Sequence, residues 1–171
     1  MSIAQSMLPE FDNEMANTRK TLERVPENKL EYKPDPKSMT MGKLASHIAE
    51  MAGWLPSMAD GPELDIPADF KPFAATSRKQ LLDTFDKNVA GSRAALAGLS
   101  DQTFMQEWSL KFAGNTMFTM PRIAVYRSML MNHIIHHRAQ LTVYFRLNGV
   151  PVPALYGPSA DEGQMPATAG H

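Results

Sequence analysis

The sequence predicts an all-α protein, a four-helix bundle with a small β-hairpin between its third and fourth helices. Four long segments carry apolar residues at three- and four-residue spacing, which is the period of an amphipathic helix. Proline-rich connections separate these segments and indicate where each helix ends. A chain of 171 residues can bury roughly 70% of its unfolded surface, which is enough for one core without disulfides.

The first two helices are predicted in the N-terminal third of the chain. One runs from about Ile3 to Val25, and the other from about Thr40 to Met58 with Thr40 as its N-cap. Each segment has one apolar face, and Pro26 opens the long loop between them. We therefore expect both helices to bury one side in the bundle.

A long connection, a third helix and a hairpin follow. Residues 60–76 contain three prolines and are predicted to be an ordered loop, of a length that often carries function. The third helix is predicted from about Ser77 to Leu96, with Ser77 and Gln80 forming a capping box. After it, two apolar stretches flank residues 113–115, Ala-Gly-Asn, which indicates the small hairpin.

The fourth helix is predicted from Pro121 to Asn148. Proline suits the first helical position, and Gly149 is a strong stop signal. Its apolar and histidine side chains alternate by four and three residues, and this seam should face the bundle interior: Tyr126, Leu130, His133, His137, Leu141 and Tyr144. The bundle is predicted to span residues 1–160, followed by a flexible tail over residues 161–171.

Charge and composition exclude several classes of partner. The net charge is -1 and there is no basic run, so binding to nucleic acid or to an anionic membrane is not indicated. No apolar run approaches the ~20 residues of a membrane-spanning helix. The N-terminus lacks the pattern of a signal peptide, so we expect a cytoplasmic protein. The absence of cysteine removes disulfides, Cys-ligated metals and a Cys nucleophile.

Three histidines are candidate ligands of a metal ion. His133 and His137 are four residues apart, so both rings project from one face of the fourth helix. His47 lies on the core side of the second helix and could complete a set of three nitrogens. Neutral imidazoles suit zinc, nickel, iron or copper. The alternative is that each is a core histidine with a satisfied hydrogen bond.

Two neighbours compete for roles at this site. His136 is three residues after His133 and could replace His137 as a ligand or support it. Glu50 is three residues after His47 and could add an oxygen ligand or act as a base, or it could be a solvated surface charge. The fourth helix contains no Asp or Glu, which excludes the Glu-x-x-His pattern of di-iron bundles.

The histidines lie in segments that resemble the DinB/YfiT-like family of metal-dependent proteins. The matching segments are 44–50 (LASHIAE), 132–141 (NHIIHHRAQL), 144–153 (YFRLNGVPVP) and 156–159 (YGPS), within a resemblance that covers residues 3–160. The resemblance implies an up-down-down-up four-helix bundle and often a homodimer. It also implies that His47, His133 and His137 are the three metal ligands.

The resemblance also suggests an activity. Members with this site include thiol S-transferases and a mycothiol-dependent isomerase. We therefore expect a metal-dependent transferase that uses a low-molecular-weight thiol on an electrophilic small molecule, with one Ni, Zn or Fe ion. The alternatives are a non-enzymatic, stress-related binding protein and a metal-dependent hydrolase. Residues that could orient a substrate are Tyr126, Arg138, Gln140 and Tyr144.

Overall fold

The computed structural model describes residues 1–163. Its α-helices are α1 (Ile3–Leu22), α2 (Met41–Met51), α3 (Leu55–Ala59), α4 (Arg78–Gly98), α5 (Asp101–Met105), α6 (Arg122–Val125) and α7 (His133–Leu147). Its strands are β1 (Glu63–Ile66), β2 (Glu107–Phe112) and β3 (Asn115–Pro121). A 3-10 turn spans Glu27–Lys29, and a π-helical segment spans Tyr126–Asn132 between α6 and α7.

The prediction of an all-α protein is wrong, because the helices carry a three-stranded mixed sheet in the order β1-β2-β3. β2 and β3 form an antiparallel hairpin, and β1 adds to β2 in parallel. Strand β1 lies within the segment that the sequence predicted as a loop. It is only four residues long and flanked by Pro62 and Pro67, and its partner lies more than 40 residues later in the chain. Such a strand forms only because it pairs with a distant strand, and the pattern of residues within the segment does not indicate that pairing.

The predicted second helix is two helices. The α-helix ends at Met51, and a new short helix begins at Leu55. Pro56 has no N–H to bond the carbonyl four residues earlier, which belongs to Ala52. That carbonyl instead accepts a hydrogen bond from Ser92 Oγ at 2.5 Å. The resulting corner turns the chain at Trp54, whose ring packs against those of His47 and His133.

The predicted fourth helix is also interrupted. Pro121 ends β3, the helix begins at Arg122, and seven residues are π-helical before α7 starts at His133. A π-helical turn contains extra residues and rotates the side chains that follow it. Gly149 adopts φ +67° after the helix, as expected of its stop signal.

The core is formed where α1, α2, α4 and α7 pack on one another. The inner face of the sheet covers one end, with Leu64, Leu110 and Phe118 aligned across its three strands. No helix within residues 1–163 is both long and apolar enough to cross a lipid bilayer.

The chain after α7 returns along α1 and α7. Asp161 pairs with Arg146 at 2.7 Å, and Glu162 pairs with Arg24. The rest of the predicted tail, residues 164–171, lies outside the described part of the chain.

Candidate metal centre

Three imidazole rings converge between α2 and α7. His47 lies in α2, and His133 and His137 occupy the first turn of α7 and the start of the next. One nitrogen from each ring belongs to a set whose members all lie within 4.8 Å of one another. All three side chains are partly buried. They form the one group of three or more His, Cys, Asp or Glu within residues 1–163 whose geometry could hold a metal ion.

Local structure explains the convergence. Thr40 caps α2 by accepting a hydrogen bond from the Lys43 N–H, which fixes where the helix starts. Leu44 and Ile48 anchor the helix in the core, and His47 lies beside that buried face. On the other side, the π-helical segment sets the rotation at which His133 enters α7.

The separation between two of the rings fits a shared ion. Nε2 of His133 lies 2.9 Å from Nε2 of His137. Two nitrogens that each bind one ion at ~2.0–2.1 Å are about 2.9 Å apart at a right angle and about 3.3 Å apart at a tetrahedral angle. The observed distance is at the lower end of that range, so both lone pairs can reach one divalent cation.

The outer nitrogens of these two rings have different surroundings. Nδ1 of His137 lies 2.7 Å from Gln140 Oε1. Since that oxygen only accepts, Nδ1 carries the proton and Nε2 keeps a free lone pair. Nδ1 of His133 is buried without a hydrogen-bond partner among the described residues. The backbone of Met129 interacts with this ring and opposes the lowering of its pKa.

Burial keeps the three imidazoles neutral. It is the main reason that the pKa of His47 falls from its usual 6.5 to about 4, and the nearby His137 and His133 lower it further. Burial also lowers the pKa of His133 and of His137, although Gln140 opposes the shift at His137. Three unprotonated nitrogens facing one point therefore form a donor set that suits a divalent transition metal.

The two predicted competitors lie beside the cluster but outside the group of three. His136 is exposed, and its ring contacts that of His137 edge to face at 5.0 Å between centroids. Glu50 Oε1 accepts a hydrogen bond from the Phe73 N–H at 3.1 Å, so this carboxylate holds the connection that follows β1. Their predicted roles as ligand, support or base stay predictions.

Arg138 and Tyr144 bond to other parts of the chain, and Tyr126 is buried in the core. Arg138 is buried and forms an ion pair with Glu14 at 2.7 Å, so it joins α7 to α1. Tyr144 donates from its hydroxyl to the carbonyl of Met39, just before α2. The Tyr126 hydroxyl is buried with no hydrogen-bond partner among the described residues. Of the four residues predicted to orient a substrate, Gln140 is the one bonded to a cluster histidine.

Trp54 is the neighbour that the sequence reasoning missed. Its ring centroid lies 5.7 Å from that of His47 and 5.8 Å from that of His133. Trp54 follows His47 by seven residues, a spacing that places two side chains on the same side two helical turns apart. That spacing was a usable signal, although the helix break between the two residues obscures it.

Comparison with known proteins agrees with this fold. The model of the DinB family matches residues 1–169. This chain belongs to the DinB family. A curated relative from Bacillus subtilis (strain 168), described as uncharacterized protein YrdA, is 28% identical over 156 residues, which cover 91% of this chain and 89% of that protein.

Two crystal structures of DinB-like proteins share the fold. The one from Bacillus cereus ATCC 10987 has a TM-score of 0.71 and 25% identity, and the match covers 91% of this chain and 98% of that one. The DinB-like protein YjoA from Bacillus subtilis has a TM-score of 0.64 and 19% identity, covering 86% and 96% of the two chains. DinB membership and the three-histidine cluster are together compatible with metal binding.

Proposed function

We propose that this DinB protein binds one divalent ion through His47, His133 and His137 and uses it as a metal-dependent thiol S-transferase. The observation that supports this most directly is the convergence of three neutral nitrogens with no carboxylate in the same group of the described residues. Three neutral ligands leave the charge of the ion intact and leave room for a further ligand, as in catalytic rather than structural sites.

The chemistry requires a nucleophile that the chain does not supply. A divalent ion, when bound, would lower the pKa of a low-molecular-weight thiol so that the thiol loses its proton near neutral pH. The chain has no cysteine, so this thiol has to come from solution and attack an electrophilic small molecule.

The protein's own residues would orient the site. Gln140 holds His137 in the tautomer that directs Nε2 toward the shared point. Trp54 packs against the rings of His47 and His133 and would limit access of water to an ion from that side. Glu50 lies outside the group of three histidines, and its Oε1 already accepts a hydrogen bond from the Phe73 N–H, so we assign it no role as the base for a metal-activated water. For this reason we favour thiol transfer over hydrolysis.

Metal binding is tested first. Untagged protein would be stripped with a chelator and titrated with Ni²⁺, Zn²⁺ and Fe²⁺ by calorimetry, beside His47→Ala, His133→Ala and the matched control His136→Ala. We expect one site per chain that is lost in the first two variants and kept in the control. Equal losses in all three variants would contradict the ligand assignment.

Turnover is tested second. The metal-loaded protein would be incubated with glutathione, cysteine or coenzyme A and with 1-chloro-2,4-dinitrobenzene or an epoxide. We expect thioether formation that depends on the metal and is abolished in His133→Ala. Metal binding without any metal-dependent conjugation would contradict the transferase and leave a binding protein without turnover.

A further inference from the structure

A cavity adjoins the histidine cluster and is walled by the three-stranded sheet, of which the sequence predicted only the β2–β3 hairpin. It has a volume of about 420 Å³ and lies between the inner face of the sheet, the corner between α2 and α3, and α4. Leu64, Leu110 and Phe118 form one wall, because they are paired side by side across the three strands. Its other side chains are also mainly apolar, so it suits an apolar ligand.

The cavity reaches the candidate metal centre at Trp54. This ring lines the cavity and also contacts the rings of His47 and His133. Met129, one turn before His133, is a second lining residue near the cluster. None of the three histidines lines the cavity, so its occupant would be next to the centre, with Trp54 between them.

The charges around the cavity exclude one class of ligand. Among the described lining residues there is no lysine, arginine or histidine, whereas Glu50 and Asp65 are carboxylates. An anion would find no partner there and would be repelled by the two carboxylates, because like charges repel. A cation is disfavoured as well, since the mainly apolar wall would strip its water and both carboxylates already accept backbone hydrogen bonds. We therefore expect a neutral occupant.

Most polar groups of the wall already have partners. Glu50 accepts from the Phe73 N–H, Asp65 accepts from the Gly114 N–H, and Asn88 donates to the Ala49 carbonyl at 2.8 Å. The exception among the buried groups is Trp108, which is 2% exposed and whose Nε1 has no hydrogen-bond partner among the described residues. A buried donor without an acceptor is costly, so a ligand acceptor that reaches this nitrogen from the cavity, which the Trp108 ring lines, would be favourable.

The frame of the cavity is held in place by Arg122. Its Nε donates to the carbonyl of Met58 at 2.9 Å, another of its nitrogens donates to the carbonyl of Gly61, and a third donates to Gln106 Oε1 at 3.2 Å. These bonds join the end of α3 to the sheet. A cavity with a fixed frame loses little entropy when a ligand binds.

We propose that this cavity binds the apolar body of a neutral substrate that carries a hydrogen-bond acceptor, which is received by the indole N–H of Trp108. The electrophilic nature of that substrate rests on the proposed function. The preference for a neutral, apolar acceptor rests on the cavity alone and is tested without metal or turnover.

The ligand preference can be measured on the metal-free protein with three naphthalene competitors of similar shape. The neutral, polarity-sensitive dye 6-propionyl-2-(dimethylamino)naphthalene, excited directly, would be bound and then displaced by 2-acetylnaphthalene, naphthalene or 2-naphthoate. We expect the ketone to bind best, naphthalene about fivefold more weakly for lack of the acceptor, and the anion at least about tenfold more weakly. No saturable dye binding, or equal binding of ketone and anion, would overturn the proposal.

Two variants locate the binding to the cavity. Trp108→Phe keeps an aromatic ring but removes the donor, so ketone and naphthalene should then bind equally well. Leu110→Trp fills the cavity and should abolish dye binding, while the matched control Leu147→Trp, on an exposed position of α7, should leave it unchanged. If the ketone keeps its advantage in Trp108→Phe, the assigned donor is wrong, even should Leu110→Trp fail to fold.

The outcome is separable from that of the proposed function. Dye binding with these preferences but no thiol transfer would remove the transferase and leave the cavity assignment. If folded Leu110→Trp transferred a thiol to an apolar electrophile at an unchanged rate, the transferase would stand and the cavity assignment would be removed.

Discussion

Gln140 Oε1 lies 2.7 Å from Nδ1 of His137, on the side of the ring opposite the nitrogen that faces His133. This single contact fixes which nitrogen of His137 is protonated and holds the ring toward the shared point. The relation is local, because Gln140 and His137 are three residues apart and adjacent on the surface of α7.

Removing this contact should weaken metal binding without unfolding the protein. Gln140→Leu keeps the size of the side chain but not its acceptor, and we expect an affinity loss of about 10- to 100-fold, the usual effect of deleting an outer partner of a metal-binding histidine. Calorimetric titration of the chelator-treated protein measures it. His136→Ala, an exposed position next to His137, is the control and should change little. An unchanged affinity in Gln140→Leu would refute the positioning role.

Glu50 provides the opposite test. Its Oε1 accepts from the Phe73 N–H, and we place no metal ligand there. Glu50→Gln keeps an acceptor oxygen, so metal affinity should stay within about twofold, since no charged ligand is lost. Glu50→Leu should loosen the connection after β1, which limited proteolysis would detect. A large affinity loss in Glu50→Gln would make this carboxylate a ligand.

The stability of the metal-free protein should fall as the pH is lowered from 6.5 toward 4. In the folded state the pKa values of the three cluster histidines lie below the usual 6.5, and that of His47 is about 4. The unfolded chain therefore binds more protons in this window, and acid favours unfolding. Above about pH 6.5 this contribution is fully present and constant.

Urea unfolding with a chelator present, at several pH values, measures this dependence. His47→Gln removes the most strongly shifted group and should flatten the profile. Stability that increased on acidification through the window would contradict neutral, buried rings. With metal present, the same protons compete with the ion, so affinity should also fall below pH 6.5.

The ion pair between Arg138 and Glu14 should be a major determinant of stability. Both side chains are buried, and Tyr156 donates to the same Glu14 oxygen at 2.6 Å. Arg138→Met leaves the carboxylate buried without its cation, and we expect a loss of about 3–5 kcal/mol in the free energy of unfolding. The double variant with Glu14→Gln should recover part of it. A loss under about 1 kcal/mol in urea unfolding would place the pair among weak surface contacts.

Local patterns in the sequence predicted the parts of the fold that local interactions determine. The period of three and four residues placed the long helices, and the spacing between His133 and His137 placed two rings on one face, where the structure has them. The role of Gln140 also follows from helical spacing, although the sequence alone could not distinguish it from Arg138, which turns into the core to meet Glu14.

Long-range pairing was not predictable in the same way. Strand β1 pairs in parallel with β2 across more than 40 residues, and four residues between two prolines give no signal of a strand. The break before Leu55 was visible as Pro56, but the apolar pattern continues through it. The cavity depends on both features, since the sheet and the α2–α3 corner form its walls.

Anomalous diffraction from crystals of the metal-loaded protein tests the central claim most directly. Data collected on either side of the metal absorption edge would locate the ion independently of any assumed ligand. We predict a single peak per chain about 2.0–2.1 Å from one nitrogen each of His47, His133 and His137. A peak bound elsewhere, or one that lacks His47 and instead contacts His136, would contradict the account.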